Sequence, residues 1–392
     1  MRKKVCIGDL GTVVTGKTPS KSNKAFYGDY ALFLKPTDIS ECCKFTYKTE
    51  EMFSQLAADK FASSLIPEGA ICIPCIGTIG TKMTMSHCEC YTNQSINSIV
   101  CNDKYDTEYV YYLMKNFLPN LKSYNLGTAS GREFISKSNF EKIEIIAEQD
   151  KNIQNKIGKF LSRYDSLIEN YQKQIKLLEE SAQRLYKEWF IDLRFPGHEN
   201  TKIVDGVPEG WEKKRLGDIA DVIMGQSPKS EYYNNENKGL PFHQGVGSYG
   251  NRFVIDNTYC TSFTRIAKPN SVLFSVRAPV GRLNITKNKI IIGRGLAAMT
   301  HNKGYQSFLF YLLKERFFKD NIIGNGAIFA SISKDELLNL DFIIPSDDLT
   351  IQFNAIAKNL DDEIKTLDNQ IRHLTEARDR LLPKLMGGEI IV

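Results

Sequence analysis

The sequence repeats itself, and this internal repeat constrains the fold of the chain more than any other feature. Matched blocks occur in the same order in both halves: IGDLGTVVTGKTPSK (7–21) with LGDIADVIMGQSPKS (216–230), IPEGAICIPCIGTIG (66–80) with AKPNSVLFSVRAPVG (267–281), and NQSINSIV (93–100) with GRGLAAMT (293–300). Self-similarity that keeps its order indicates a tandem duplication. We therefore expect two halves with the same fold.

Each copy begins with a segment that predicts a compact α+β domain. Short apolar runs such as INSIVC and SVLFSV are bounded by Gly, Pro, Asn and Thr, which is typical of strands that end in turns. Helical patterns such as TEYVYYLMKNFL lie between these runs. We place the first domain at residues 1–147, and the second domain with its linker at residues 194–346.

A long helix is predicted after each domain, at residues 148–193 and at residues 347–392 with a C-terminal tail. Apolar residues recur in alternating steps of four and three along both segments, which is the pattern of a coiled-coil seam, and Arg378 interrupts it. The predicted seam residues are Ile157, Leu161, Tyr164, Ile168, Tyr171, Ile175, Leu178, Leu185, Trp189, Phe353, Leu360, Ile364, Leu367, Ile371, Leu374, Leu381 and Leu385. Pro383 and the glycines after it are expected to end the second helix.

One apolar stripe on so long a helix needs a partner, and the other copy's helix is the simplest one. The predicted fold class is α+β, with two pseudo-symmetric globular α/β domains separated by a long antiparallel two-helix coiled coil.

Composition excludes some classes of protein and leaves others open. No run approaches the roughly 18 apolar residues of a membrane span. The nine cysteines show no regular spacing, which favours reduced thiols and a cytoplasmic location. A net charge of +5 permits a polyanionic partner without requiring one.

The segment GTVVTGKT (11–18) fits the phosphate-loop pattern G-x-x-x-x-G-K-[ST] and raises the alternative of a free-standing nuclease or nucleoside-triphosphatase. However, the second copy has Gln226 where the first has Lys17, and Pro19 disfavours helical geometry at Thr18. A surface turn that carries polar side chains is the favoured interpretation. A structural coiled-coil scaffold without DNA contact is the other alternative.

A second motif, Cys72-x-x-Cys75 followed by His87, Cys88 and Cys90, loosely resembles a zinc site. Buried free cysteines packed in a strand are the favoured interpretation. The sequence predicts no catalytic residue and no metal ligand.

Polar side chains of the kinds that contact phosphates and base edges recur on loops at matching places in both copies. The candidate DNA-binding residues are Lys17, Thr18, Ser20, Lys21, Lys35, Thr37, Asp38, Thr78, Gln94, Ser95, Thr128, Ser130, Arg132, Gln226, Ser227, Lys229, His243, Gln244, Arg252, Arg277, Arg282, Arg294 and Asn325. As a set they favour a bipartite nucleic-acid surface, one part on each domain.

Several of these segments also carry a family resemblance. They are the two openings IGDLGTVVTGKTPSK and WEKKRLGDIADVIMGQSPKS, the elements CIGTIG, VRAPVG and NQS, the tripeptide AEQ at 147–149, RLYKEWFIDLRFPG, and the C-terminal RDRLLPKLMGGEIIV. In their order and spacing the chain resembles the specificity (S) subunits of type I restriction–modification enzymes over essentially its full length. It departs from the family at PSDD (345–348), where Glu-Gln commonly follows the proline.

The resemblance implies two target-recognition domains that each read one half of a split, asymmetric double-stranded DNA target. It implies that the helices act as a ruler and as a platform for two methyltransferase (M) subunits per chain, with restriction (R) subunits completing the nuclease. It also implies that the chain is not an enzyme and binds no cofactor. S-adenosylmethionine, ATP and magnesium are then expected in the partner subunits, which methylate adenine and cleave DNA.

Overall fold

The computed structural model describes residues 2–41, 43–125, 127, 133–317 and 331–391. The chain forms two compact units, one made of Met1–Lys173 with Leu367–Val392 and the other of Gln174–Thr366. Each unit contains one globular domain and a part of both long helices. A division into successive domains and helices, as the sequence predicts, therefore does not match the compact units, because each domain packs against segments of both helices.

The first unit contains short helices and strands that precede the first long helix. Its short helices are α1 (Ile7–Leu10), α2 (Gln55–Lys60), α3 (Thr107–Phe117) and α4 (Lys137–Glu141). Its strands are β1 (Arg2–Cys6), β2 (Gly11–Thr15), β3 (Tyr27–Leu34), β4 (Met52–Phe53), β5 (Ile71–Pro74), β6 (Thr84–Met85), β7 (Tyr91–Thr92), β8 (Ile96–Cys101) and β9 (Glu144–Glu148). The long helix α5 spans Lys151–Phe190.

The second unit repeats most of this order, without a helix at the place of α2 and with the additional strands β10 and β11 at its start. Its strands are β10 (Ile203–Val204), β11 (Val207–Pro208), β12 (Glu212–Arg215), β13 (Ala220–Met224), β14 (Tyr233–Asn234), β15 (Leu240–His243), β16 (Tyr259–Cys260), β17 (Ile266–Ala267), β18 (Val272–Ser275), β19 (Leu283–Ile285), β20 (Ile290–Ile292), β21 (Leu296–His301) and β22 (Asp341–Ile344). Its helices are α6 (Leu216–Ile219), α7 (Gln306–Phe317) and α8 (Lys334–Leu338), and the second long helix α9 spans Asp347–Gly387.

The main sheets of the two units have the same topology. The strand order is β2-β8-β5-β6 in the first unit and β13-β21-β18-β19 in the second, and all of these neighbours are antiparallel. A further sheet in each unit contains a parallel pair, β3 with β7 and β15 with β20. The prediction of two copies of one α+β fold is confirmed.

Local sequence signals account for several helix starts. The Asp106 side chain accepts a hydrogen bond from the backbone N–H of Tyr109 and caps α3. Ser333 and Glu336 form a reciprocal capping box at the start of α8. Both caps satisfy backbone N–H groups that have no partner within the helix.

The long helices differ slightly from their predicted bounds. Helix α5 begins three residues later than predicted because Glu148 is the last residue of β9, where it pairs with Arg2. Helix α9 continues through Pro383 and ends at Gly387, so the predicted stop lies at the glycines and not at the proline. Burial of Leu385 and Met386 holds the last turn in place, and Gly388 follows in the left-handed conformation.

The core of each unit joins the main sheet, one short helix and segments of both long helices. In the first unit, Ile99 of β8, Val110 of α3, Leu161 of α5 and Leu385 of α9 belong to one buried cluster. Because the beginning of α5 packs with the end of α9, the two segments run in opposite directions there. Every predicted seam residue along both helices is buried or half-buried.

In the second unit the opposite ends of the two helices meet. The Phe353 ring near the start of α9 lies 6.1 Å from the Trp189 ring and 5.1 Å from the Phe190 ring, both at the end of α5. The rings meet edge to face, an arrangement that aromatic pairs favour. The helix segments are again antiparallel. Among the described residues, no helix combines the length and apolar character needed to cross a membrane.

Arg378 interrupts the predicted apolar seam because it has a buried partner. Its guanidinium forms an ion pair with Asp165 of α5, and both side chains are buried. Tyr112 of α3 donates its hydroxyl to the same carboxylate. Burial alone would lower the pKa of Arg378, but Asp165 and Asp379 raise it above its usual value. The arginine thus belongs to a network that links both helices to the domain.

The second unit builds the same network with a different cation. Tyr311 of α7 donates its hydroxyl to Asp361 of α9 at 2.9 Å, and Arg252 pairs with that carboxylate. Glu179 of α5 lies 3.5 Å from Arg252, and the guanidinium carbon lies 4.2 Å above the Phe310 ring. Asp165 and Asp361 are each the fifteenth residue of their helix.

We expect Arg378→Ala to lower the free energy of unfolding by about 3–5 kcal/mol, because the variant leaves Asp165 buried without its cation. Chemical denaturation of the full chain, with hydrogen exchange at α3 amides, measures the effect. The matched control is Arg372→Ala on the same helix, whose exposed guanidinium pairs with the exposed Glu376. An Arg378→Ala variant as stable as this control would contradict the network.

Candidate nucleic-acid interface

Three loops of the second unit converge on one groove. They are the turn after β13, the loop after β15 and the turn before β21. The groove has a volume of about 570 Å³. It is lined by Gln226, Ser227, Pro228, Lys229, Ser230, Tyr233, Gln244 and Arg294. Five of the residues predicted from the sequence to bind DNA therefore lie together: Gln226, Ser227, Lys229, Gln244 and Arg294.

Backbone hydrogen bonds hold these loops against the sheets. The N–H of Gln226 donates to the carbonyl of Ile292 at 2.9 Å. The N–H of Gly293 donates to the carbonyl of His243 at 2.8 Å. Main-chain hydrogen bonds therefore hold these loops against the sheets.

The first unit uses the same bonds at the matching positions. The N–H of Lys17 donates to the carbonyl of Thr92 at 3.0 Å, and the N–H of Asn93 donates to the carbonyl of Leu34 at 3.0 Å. Lys17 therefore corresponds to Gln226, and Lys35 corresponds to Gln244. The two predicted surfaces share one backbone design.

A glycine at the same place in each unit allows the turn to approach the neighbouring loop. A Cβ atom on Gly16 would lie 2.1 Å from the carbonyl oxygen of Thr92, and a Cβ on Gly225 would lie 2.1 Å from that of Gly293. Neither distance is compatible with any side chain. The glycine of the shared G-x-[ST]-P sequence is thus required by close backbone contact.

The side chains after this glycine contact the turn before β8 or β21. In the first unit, the Thr18 hydroxyl donates to Oε1 of Gln94. In the second unit, the backbone N–H of Arg294 donates to the Ser227 hydroxyl oxygen at 3.2 Å. The hydroxyl residue of each G-x-[ST]-P turn therefore supports one exposed side chain, Gln94 or Arg294.

Sequence reasoning missed a tyrosine that holds each G-x-[ST]-P turn. The Tyr27 hydroxyl donates to the carbonyl of Pro19 at 3.0 Å, and the Tyr233 hydroxyl donates to that of Pro228 at 2.8 Å. The tyrosines stand at different distances from their prolines in the sequence, so alignment of the repeats did not pair them.

Carboxylates lie beside two of the predicted cations of the first unit, Lys35 and Lys21. Lys35 Nζ lies 2.7 Å from Glu50 and 3.3 Å from Glu51. Burial alone would lower the pKa of Lys35, but the two carboxylates raise it. Lys17 is exposed and its Nζ donates to the Ser63 hydroxyl at 3.3 Å, while Lys21 lies 4.0 Å from Glu51.

Other candidates occupy exposed loops or structural positions. Asp38 accepts hydrogen bonds from the backbone N–H groups of Lys35 and Glu50, so it connects its own loop to the segment at Glu50. The candidates Ser20, Thr37, Thr78, Arg277 and Arg282 are exposed, and Ser95 is half-buried. The candidates Thr128, Ser130, Arg132 and Asn325 lie outside the described residues.

Two predicted DNA contacts are corrected by the structure. Arg252 is 4% exposed, and its charge is taken by Asp361 and Glu179. His243 is 1% exposed, with its ring nitrogens 2.8 Å from Ser248 and 2.9 Å from Asp256. Neither side chain can reach a base or a phosphate from this position.

The phosphate-loop and zinc-like motifs have other roles in the structure. Residues Gly11–Thr15 form strand β2, where a phosphate loop would require an open turn. Cys72 and Cys75 are buried, and burial raises the pKa of both thiols to about 12. Among the described residues, no three His, Cys, Asp or Glu side chains lie close enough together to hold a metal ion.

Two copies of one α+β domain, each presenting a loop surface of polar side chains, define a duplicated recognition protein. Residues 2–180 and 208–376 each match the family described as the type I restriction modification DNA specificity domain. The chain therefore belongs to this family and contains two copies of the domain.

Similar proteins carry matching names. The chain is 30% identical over 410 residues to the type I restriction enzyme MjaIX specificity subunit of Methanocaldococcus jannaschii, covering 98% of this chain and 93% of that protein. It is 35% identical over 176 residues to the HindI specificity subunit of Haemophilus influenzae, covering 44% and 38% of the two chains. The type I restriction–modification S subunit of M. genitalium has a similar fold, with a TM-score of 0.61 at 18% identity, covering 98% and 96%.

We expect Gly225→Ala to destabilise the turn of the second unit by at least about 1–3 kcal/mol, because the added methyl collides with the Gly293 carbonyl. Chemical denaturation of the full chain, with hydrogen exchange at the Gln226 amide, measures the effect. Gly247→Ala serves as the control, because a Cβ there has nothing within 4 Å. Equal exchange rates at the Gln226 amide in both variants would rule out the close-packed turn.

Proposed function

We propose that this chain is the DNA-specificity subunit of a type I restriction–modification enzyme and reads an asymmetric, bipartite double-stranded target. The observation that carries this proposal is the repeated loop surface, which has one backbone frame and different side chains in the two units. Side chains that read base edges determine sequence, whereas the frame places them. Each unit would read one half-site.

The asymmetry of the target follows from the residues at matching positions. The first unit has Lys17 where the second has Gln226, and Gln94 where the second has Arg294. Two domains with different reading side chains recognise different bases. Membership of the DNA-specificity family and the similarity to the MjaIX subunit support this proposal.

Catalysis is assigned to partner subunits. We propose that two methyltransferase subunits per chain bind S-adenosylmethionine and methylate adenine, and that restriction subunits use ATP and magnesium to cleave DNA. This chain would hold no cofactor of its own. Such an assembly acts on DNA inside the cell, which would place the chain in the cytoplasm.

We expect Arg277→Ala to relax recognition of one half-site only. Arg277 is exposed in the second unit and has no counterpart cation at Ile76 of the first. Sequencing of modified adenines in cells that express the chain with its methyltransferase subunits measures both half-sites. Arg215→Ala is the control, because this exposed arginine precedes β13 whereas the loop surface follows it. Equal loss at both half-sites would count against the assignment.

The long helices are proposed to set the spacer between the half-sites. A seven-residue insertion in both helices, after residue 173 and after residue 366, keeps the seam in register and adds about 10 Å to each. We expect the spacer to lengthen by about three base pairs, at ~3.4 Å per pair, with unchanged half-sites. Modified-base sequencing reports the spacer. An unchanged spacer in the insertion variant would contradict the proposal that the helices set the spacer. In the control, exposed residues of the helices are replaced without a change of helix length, and the spacer should stay the same.

A further inference from the structure

Gln94 and Arg294 occupy the same position in the two copies of the loop surface. The residue before each donates its backbone N–H across the sheet, from Asn93 to Leu34 and from Gly293 to His243. The residue after each, Ser95 or Gly295, accepts a backbone hydrogen bond through its carbonyl. The donors are the N–H groups of Cys75 after β5, at 2.8 Å, and of Val276 after β18, at 2.9 Å. Main-chain bonds on both sides therefore hold these two residues at matching places in the two copies.

Both side chains are exposed. Gln94 Oε1 accepts a hydrogen bond from the Thr18 hydroxyl, which orients the Gln94 amide. The same oxygen has a second lone pair, so it can still accept a hydrogen bond from a base. Arg294 has its backbone held by Ser227 and lines the groove together with Gln244. Within the part of the chain that the structure describes, no carboxylate forms an ion pair with Arg294.

The chemistry of these two side chains matches different bases. Arginine donates two hydrogen bonds to the O6 and N7 atoms of guanine in the major groove. The glutamine amide donates to N7 and accepts from N6 of adenine. A planar side chain at one fixed position can thus select guanine in one half-site and adenine in the other.

We propose that Gln94 and Arg294 are the matched base-reading residues of the two domains, with Arg294 selecting guanine and Gln94 selecting adenine at one position of their half-sites. This inference rests on the proposed function, since it assigns the base read at a position of that DNA surface. It goes beyond the function in naming the residue pair and the base each requires.

The test exchanges the two side chains. The full chain is expressed with its own methyltransferase subunits in a host without other adenine methylation, as wild type, Arg294→Gln, Gln94→Arg and the double exchange. Modified adenines are mapped by single-molecule sequencing. We expect Arg294→Gln to change one guanine of one half-site to adenine, with a preference of roughly tenfold or more. Gln94→Arg should change one adenine of the other half-site to guanine, and the double exchange should make both changes.

The outcomes separate this inference from the proposed function. A wild-type chain that directs no bipartite modification overturns both. A wild-type motif that Arg294→Gln leaves unaltered overturns only the base assignment. Loss of modification without acceptance of a new base also overturns it, because Arg294 would then supply affinity alone. Arg215→Gln, an exposed arginine of the same unit before β13, is the matched control and should leave the motif unchanged.

Discussion

One carboxylate on each long helix, buried Asp165 or half-buried Asp361, fixes how that helix meets its globular domain. Asp165 and Asp361 each accept a tyrosine hydroxyl and pair with an arginine. Sliding a helix by one turn would move its carboxylate by about 5.4 Å, away from both partners. The charge would then be buried without compensation, at a cost of several kcal/mol. Apolar seam residues tolerate such a shift far better, so the ionic network defines the register.

The two units satisfy this requirement with different cations. Arg378 is the thirty-second residue of α9, and Ala182 holds the same place in α5. In the second unit the cation comes instead from Arg252 in the globular domain. The corresponding residue of the first domain is Lys44, since Phe45 and Phe253 form matching bridges, and Lys44 pairs with Glu108. The arginine that pairs with the helix carboxylate thus comes from α9 in the first unit and from the globular domain in the second.

The repeat made the fold readable from the sequence, whereas single side chains were harder to place. Order and spacing of matched blocks predicted two α+β copies and two long helices, because such patterns reflect burial over many residues. Arg378 looked like an interruption since its partner Asp165 lies far away in the sequence. Arg252 and His243 were selected by residue type, which does not reveal whether a side chain points inward. The direction of a side chain depends on its partners in the tertiary structure, and a single sequence does not show which residues those partners are.

Exchange of the reading side chains on the two loop surfaces changes the free energy of unfolding little, because main-chain contacts hold the backbone there. Gly16 and Gly225 permit the close approach, and main-chain bonds on either side of Gln94 and Arg294 hold the turn. An exposed side chain on such a turn contributes little packing, so exchanging it leaves the fold intact. The core positions have no such freedom, since a change of one methylene there is felt. A duplicated domain can therefore keep its architecture while its two copies come to recognise different sequences.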